Sequence, residues 1–370
     1  MHKHKCLSVD AQTGIRSKRT LEPAEVFPTF AITMQSIKHY TIPVFIPELA
    51  CPFQCAFCNQ KKISGHINIP DTKEITTSID AYFQSFKEKE RHVEIGFFGG
   101  TFTGIPLAEQ ESYLRLVQPY LESGQIQGIR LSTRPDYIDT EVLSLLKKYG
   151  VTTIELGAQS MDDDVLNASF RGHTAQEVEK ASKMINAAGF ELGLQMMIGL
   201  PGDKLEKALS TARKIIELGA SNTRIYPALV IRDTAMHQWF KQGKYRPLSL
   251  EEAVEWSKHL LLLFEEAGVN VIRLGLHPSD GLLDGSDLVA GPFHPSFREL
   301  VLTQIWKDLL SPLLKEKKTK NIEVQVLSSE INYAIGYGAL NKKMLLKQFQ
   351  QVKFIGNPEL ERRTFQVKTL

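Results

Sequence analysis

Three of the four cysteines fall within eight residues, in the segment Cys51-Pro-Phe-Gln-Cys55-Ala-Phe-Cys58. Gaps of three and two residues let one loop wrap a compact metal site from a single side, and thiolates select zinc or iron–sulfur clusters. A structural zinc site closes with four ligands. Here three are at hand: no fourth cysteine is near, and His66 lies eight residues past Cys58, too far for an ordinary zinc hairpin. Three thiolates on a four-iron cluster leave one iron open to bind a substrate or cofactor, so the incomplete set favours chemistry over structure. The clustering also argues against a disulfide framework, whose cysteines are spread along a secreted chain, and for a reducing compartment, expected to be the cytoplasm.

Other segments carry groups that suit a polar ligand. Gly99-Gly100-Thr101 offers a glycine pair, which lets backbone approach a ligand closely or makes a plain strand-to-helix turn. In Ser132-Thr133-Arg134-Pro135-Asp136 the arginine can grip a carboxylate bidentately, while Asp136 is equally well a helix cap. Gln159, in Gly157-Ala158-Gln159-Ser160, presents an amide for hydroxyl groups, and Ser160 reads as a turn or cap residue. Arg171-Gly172-His173 reads as functional rather than as surface loop. Met196 and Ile198 alternate on one face of an apolar run, where core packing is the commoner role of methionine.

The elements that must position these groups repeat a short apolar run followed by an amphipathic stretch. Strands are expected at 42–46, 92–98, 128–133, 151–156, 190–198, 222–226 and 270–274. Helices are expected at 78–90, 107–123, 140–149, 175–188, 204–218 and 250–267. Gly150, Gly189, Gly219 and Gly268 stand where helices end and strands begin. Six or seven strand–helix units in series require parallel strands joined by crossover helices. The expected architecture is α/β, a partial (β/α)6 barrel of parallel strands with a small C-terminal α+β appendage. In such barrels chemistry sits at the C-terminal ends of the strands, which is where the cysteine loop and the polar segments fall.

A cysteine triplet of this spacing, placed after the first strand of a serial α/β barrel, resembles the signature of the radical S-adenosylmethionine superfamily. The match includes an aromatic just before the last cysteine, Phe57. The resemblance implies a [4Fe–4S] cluster on Cys51, Cys55 and Cys58, with S-adenosylmethionine chelating the fourth iron. An electron from the cluster then cleaves the sulfonium to a 5′-deoxyadenosyl radical, and a donor such as flavodoxin or ferredoxin is implied. It further implies that Phe57 packs near the adenine and that Gly99, Gly100 and Thr101 contact the methionyl amino group. With that cofactor, Ser132 and Arg134 would meet its ribose or carboxylate, Gln159 its ribose, and Met196 and Ile198 would flank its adenine.

The segments FFGGTFTGIP, RLSTRPDYID, IELGAQSMDDDVLNASFRGHT and MMIGLPGD narrow the resemblance. They look like the radical domain of the Elongator catalytic subunit and, more distantly, of oxygen-independent coproporphyrinogen oxidase. The likeness covers roughly residues 36–275, and GPFHPSFREL looks like bacterial Elongator-like radical proteins. The Elongator subunit carries an acetyltransferase domain, whereas residues 276–370 hold no Gly-rich loop of the acetyl-CoA kind, so a stand-alone radical domain is expected.

Composition bounds the remaining choices. With 42% hydrophobic residues the chain can bury a sizeable core, and 23% charged residues exclude a wholly disordered one. The net charge of +2 names no partner, but residues 311–370 hold 11 Lys/Arg against 5 Asp/Glu. That tail can meet tRNA or be a plain solvated face. No apolar run reaches the ~18 residues of a membrane span, so no membrane partner is expected. Residues 1–33 are polar and aperiodic, expected to be a disordered or mis-annotated leader before a true start at Met34, and Cys6 within them is given no role. Residues 34–275 are expected to form the core barrel and 276–370 a subdomain or lid. The competing reading is a non-catalytic metal-binding, RNA-binding module with zinc in place of the cluster.

Overall fold

The computed structural model describes residues 38–46, 54–59, 62, 70–88, 90–315 and 321–369. The expected leader and Met34 lie outside them, as do Cys6, Cys51 and His66. The chain runs β1 (Lys38–Ile46), α1 (Thr72–Ser85), β2 (Arg91–Gly99), α2 (Leu107–Leu116), α3 (Gln118–Glu122), β3 (Gly128–Thr133), α4 (Thr140–Lys148) and β4 (Val151–Gln159). It continues with α5 (Asp163–Ala168), α6 (Ala175–Ala187), β5 (Glu191–Ile198), α7 (Leu205–Glu217), β6 (Asn222–Pro227), β7 (Val230–Ile231), α8 (Ala235–Lys241), α9 (Leu250–Glu266) and β8 (Asn270–Leu274). Then come α10 (Asp280–Leu283), β9 (Leu288–Ala290), α11 (Phe297–Leu310), β10 (Asn321–Val326), α12 (Ile331–Ile335), α13 (Leu340–Leu345), β11 (Gln351–Gly356) and β12 (Phe365–Thr369).

Seven parallel strands pair in the order β1-β2-β3-β4-β5-β6-β8 and form a curled half-barrel, one strand for each of the seven apolar runs, as the partial barrel reading expects. Crossover helices cover one face, as parallel pairing demands. That face is apolar: Ile42, Val44, Ile95, Phe97, Ile129, Leu131, Ile154, Leu156, Leu192, Leu194 and Ile225 all belong to the main core. Helix starts follow local chemistry. Asp71 with Glu74, Thr174 with Glu177, and Ser249 with Glu252 form capping boxes, each satisfying two otherwise orphaned backbone donors. The first box sets the start of α1 at Thr72, six residues before the amphipathic pattern suggests. The expected helix 107–123 divides at Val117, because Pro119 cannot donate within a continuous helix but suits the first turn of a new one.

Beyond β8 a short antiparallel ribbon pairs β7 with β9. Helix α11 then serves two cores. Phe297, Val301, Leu302 and Ile305 pack into the barrel core, while Trp306 and Leu310 join a second one with Ile322, Val324, Val326, Leu345 and Val352. The second core underlies a three-stranded sheet ordered β11-β10-β12, whose central strand pairs parallel with β11 and antiparallel with β12. Among the described residues no helix is long and apolar enough to cross a membrane.

Candidate functional site

Strand parity divides the barrel residues. The face opposite the helices carries Glu94, Arg130 and Glu155 on the adjacent strands β2, β3 and β4, and Arg224 on β6, which reaches Glu155 across β5. Arg130 donates to Glu94 at 2.7 Å and to Glu155 at 2.9 Å, and Arg224 donates to Glu155 from Nη2 at 2.9 Å. Arg224 also lies over the ring of Phe98, 5.2 Å from its centroid. This ladder is charge-balanced and closely hydrogen-bonded, the condition under which buried ions are tolerated. Its signal was present in the sequence as a single charged residue inside each of four apolar runs, and the sequence reading passed over it.

At the strand ends the cysteine loop is clamped from two sides. The amide of Ala56 donates to the carbonyl of Ser169 at 2.9 Å, and the amide of Met236 donates to the carbonyl of Ala56 at 2.9 Å. Cys55 is buried and Cys58 half-buried, joined by a turn in which the Cys58 amide donates to the Cys55 carbonyl at 3.1 Å. Cys51 lies outside the described residues. Phe57 packs in a small cluster with Ala56, Val165, Met197, Leu200 and Met236.

The second strand closes on Gly99 at φ +121°, where an added Cβ would lie 2.2 Å from the carbonyl oxygen of Ile46. No side chain fits, and the next amide, of Gly100, donates to that same carbonyl at 3.2 Å. The Thr101 hydroxyl is buried between strand ends, 2.7 Å from that of Thr133 and accepting from the Arg134 amide at 2.9 Å. A small cavity opens beside this turn, lined by Ile46, Phe98, Gly100, Thr101 and Ser132 among others.

Arg134 does not present its guanidinium to a ligand as expected. It is buried, paired with both carboxylate oxygens of Asp136 at 2.9 Å, and donates from Nη1 to the carbonyl of Arg171 at 2.8 Å. Asp136, read as a helix cap or a ligand contact, is instead the partner that holds this guanidinium. Arg171, also buried, takes the position beside the cysteine loop: Nη1 lies 3.5 Å from Cys55 Sγ and Nη2 donates to the Gly157 carbonyl at 2.7 Å. His173 shares that carbonyl, with Nε2 at 3.2 Å. Burial, reinforced by the charges of Arg171 and Arg134, pushes this imidazole down to about 4.

Gln159 sits at φ +64°, an uncommon conformation for a residue with a side chain, at the end of β4. Its Oε1 and the Nε of Arg171 are buried without a hydrogen-bond partner among the described residues. Met196 and Ile198 are fully buried in the main core, under the helices, and face away from the inner side. The alternate residues, Gln195 and Met197, take that side. Gln195 donates to the Ser132 hydroxyl at 3.2 Å, and Met197 packs against the same small apolar cluster as Phe57. One position of register separates the expected pair from the pair the fold presents, because period-2 alternation assigns faces only relative to a known neighbour. Downstream, the Asp203 carboxylate accepts from the Gly199 amide at 2.8 Å and Tyr245 donates to the Gly199 carbonyl at 2.6 Å, fixing the turn after β5.

Comparison with known proteins matches residues 46–215 to the radical SAM superfamily model and residues 221–307 to a radical SAM C-terminal domain. A tRNA uridine(34) acetyltransferase of Dehalococcoides mccartyi is 25% identical over 56% of this chain and 52% of its own length. The human Elongator complex protein 3 is 28% identical over 65% of this chain and 46% of its own. The chain spans about half the length of the curated relatives it matches. Among solved structures, the archaeal Methanocaldococcus infernus Elp3 with an N-terminal deletion superposes with a TM-score of 0.59 at 20% identity, over 74% of this chain and 64% of that one.

Proposed function

The chain is a radical SAM enzyme, a member of the superfamily that uses a [4Fe–4S] cluster and S-adenosylmethionine, and from that membership we propose that it carries a site-differentiated cluster on Cys51, Cys55 and Cys58 to act on a nucleoside of tRNA. The observation that supports this best is the cysteine loop clamped at the strand ends with the Arg171 guanidinium on the Cys55 sulfur.

The described residues suit such a group. Cys55 and Cys58 are soft donors, and a guanidinium complements the negative charge of a ligating thiolate. Two buried polar atoms, Gln159 Oε1 and Arg171 Nε, are left for a polar ligand at the same strand ends. When bound, the cluster supplies the electron that cleaves the sulfonium of S-adenosylmethionine to a 5′-deoxyadenosyl radical. The chain's own residues bind and orient. The Gly99 turn admits a ligand close to backbone, Ser132, Gln159 and Gln195 offer hydroxyl and amide groups on the inner side, and Phe57 with Met197 forms an apolar wall. Thr101 and Arg134 act one step back, holding the ends of β2 and β3 and the loop that carries Arg171. An external one-electron donor of the flavodoxin or ferredoxin kind, in the cytoplasm, completes the reading.

The tRNA substrate class is supported by the relatives whose names specify tRNA uridine modification, and acetyl transfer is not part of the proposal. The test is anaerobic reconstitution with iron and sulfide, then dithionite and S-adenosylmethionine. Release of 5′-deoxyadenosine is expected, with none from Cys55→Ala. Anaerobically purified protein holding one equivalent of zinc, without iron or sulfide, would instead favour the non-catalytic metal module.

A further inference from the structure

Residues 331–358 contain four lysines and no aspartate or glutamate. Lys353 has Glu323 at 3.8 Å, but Lys342, Lys343 and Lys347 form no ion pair among the described residues. Lys342 and Lys343 stand in the last turn of α13, and Lys343 and Lys347 are exposed. Unpaired cations gathered this way favour a polyanion.

The turn preceding α13 adds a base-stacking element. Gly336, Gly338 and Ala339 all adopt positive φ, at +86°, +58° and +61°, and between the first two Tyr337 remains 45% exposed. The turn is bolted to α11: the Tyr337 amide donates to Thr303 Oγ1 at 2.8 Å and Asn341 Nδ2 donates to the Thr303 carbonyl at 3.0 Å. Glycine takes positive φ without strain at two of these positions, Ala339 alone holds a conformation uncommon for a residue with a side chain, and the turn so held leaves the Tyr337 ring in solvent. The ring stands edge-to-face with His294 at 5.2 Å. His294 in turn lines a crevice with Pro227 and Gly275, at the C-terminal ends of β6 and β8, the end of the sheet that also carries the candidate site.

A rigidly held, exposed tyrosine followed within ten residues by unpaired lysines offers the stacking and the charge that bind unpaired nucleotides. We propose that Tyr337, His294, Lys342, Lys343 and Lys347 form an RNA-docking face that seats a looped segment of tRNA against the strand ends. The inference rests on the tRNA reading above and extends it to a surface whose residues, His294 apart, lie beyond residue 307, where the second family match ends. The lysines meet phosphates and the tyrosine stacks on a base.

The test is fluorescence anisotropy of the full chain with a fluorescein-labelled, unmodified tRNA transcript and with duplex DNA of similar length, each across a salt series. The combined variant Lys342→Gln, Lys343→Gln, Lys347→Gln is expected to weaken tRNA binding at least tenfold and to reduce the slope of log affinity against log salt by about 2–3, at ~0.7–0.9 per phosphate contact. Tyr337→Ala is expected to weaken tRNA binding at least fivefold with the slope and the DNA affinity unchanged. Circular dichroism melts of both variants guard against misfolding. A triple variant that binds tRNA as the wild type does overturns the face and leaves the tRNA reading standing. Loss of tRNA and DNA binding together, with Tyr337→Ala changing neither, assigns the lysines to a general polyanion surface and also overturns it. A wild-type chain that binds no tRNA overturns the tRNA reading itself.

Discussion

Arg171 reaches two groups with one guanidinium: Nη1 lies 3.5 Å from Cys55 Sγ while Nη2 donates to the Gly157 carbonyl at 2.7 Å. One side chain thereby ties the cysteine loop after β1 to the end of β4, and Arg134 holds the backbone that carries it by donating to the Arg171 carbonyl at 2.8 Å. The loop's second attachment, at Ser169, is two residues away, so Arg171 and the loop share one mechanical unit.

Arg171→Gln is therefore expected to retain iron after reconstitution and to lose at least tenfold in 5′-deoxyadenosine formation. Charge-assisted hydrogen bonds of this kind contribute about 1.5–3 kcal/mol each. Iron and sulfide content, measured alongside product by chromatography, separates loss of the cluster from loss of turnover. A wild-type rate from the variant would show that the contact is incidental.

Gln195 and Met196 are adjacent in sequence and opposite in role. Gln195→Ala removes the donor to Ser132 and is expected to raise KM for S-adenosylmethionine with the melting temperature nearly unchanged. Met196→Leu conserves volume in a well-packed core, expected to cost less than about 1.5 kcal/mol and to leave KM alone. Steady-state kinetics of the two variants decide which face of β5 meets the ligand, and the reverse pattern would return Met196 to the site.

Glu155 is 1% exposed and accepts from both Arg130 and Arg224. Glu155→Gln leaves the Arg224 guanidinium without its counter-charge and Arg130 with Glu94 alone. Removing one partner of a buried pair costs about 3–5 kcal/mol, so urea unfolding of the variant is expected to show a loss of that order. A loss below about 1 kcal/mol would mean that water, rather than the ladder, satisfies the arginines.

His173 titrates near 4 in the folded chain against an ordinary 6.5, because burial and two neighbouring guanidinium groups disfavour its charged form. Between those values the unfolded chain binds a proton that the folded chain does not. Its contribution is thus fully present above pH 6.5 and is lost as pH falls toward 4. By pH 5 the loss reaches about 2 kcal/mol. Denaturant unfolding at pH 7.5 and pH 5 should show His173→Gln losing about 2 kcal/mol less than the wild type over that interval. Equal losses in both proteins would place the titration elsewhere.

Much of the barrel was legible because its signals are local. A strand-length apolar run, a helix-ending glycine and a capping residue each act within a few positions, so β3 and β8 fall where the pattern places them and Gly150 and Gly189 take positive φ at helix ends. The appendage was less legible. Strand β11 and the short helices α12 and α13 lack sustained periodicity, and the turn at 336–339 takes its shape from Thr303 on a distant helix.

The order of cysteines and their spacing are covalent facts, and they alone pointed to a soft-metal loop with one ligand missing. The Gly99 turn likewise follows from a position where only glycine fits. Tertiary structure decided what these groups face. Gln195 rather than Met196 reaches the inner side because face is set by pairing register, not by composition. Arg134 is consumed by Asp136 and the Arg171 carbonyl, while Arg171, far along the chain, becomes the neighbour of Cys55. Glu94, Arg130, Glu155 and Arg224 neutralise one another only because β2, β3 and β4 lie side by side and Arg224 of β6 reaches Glu155 across β5. Hydrogen bonds and ion pairs act over about 3 Å, and distance through the fold, which sequence separation does not report, determines which of them form.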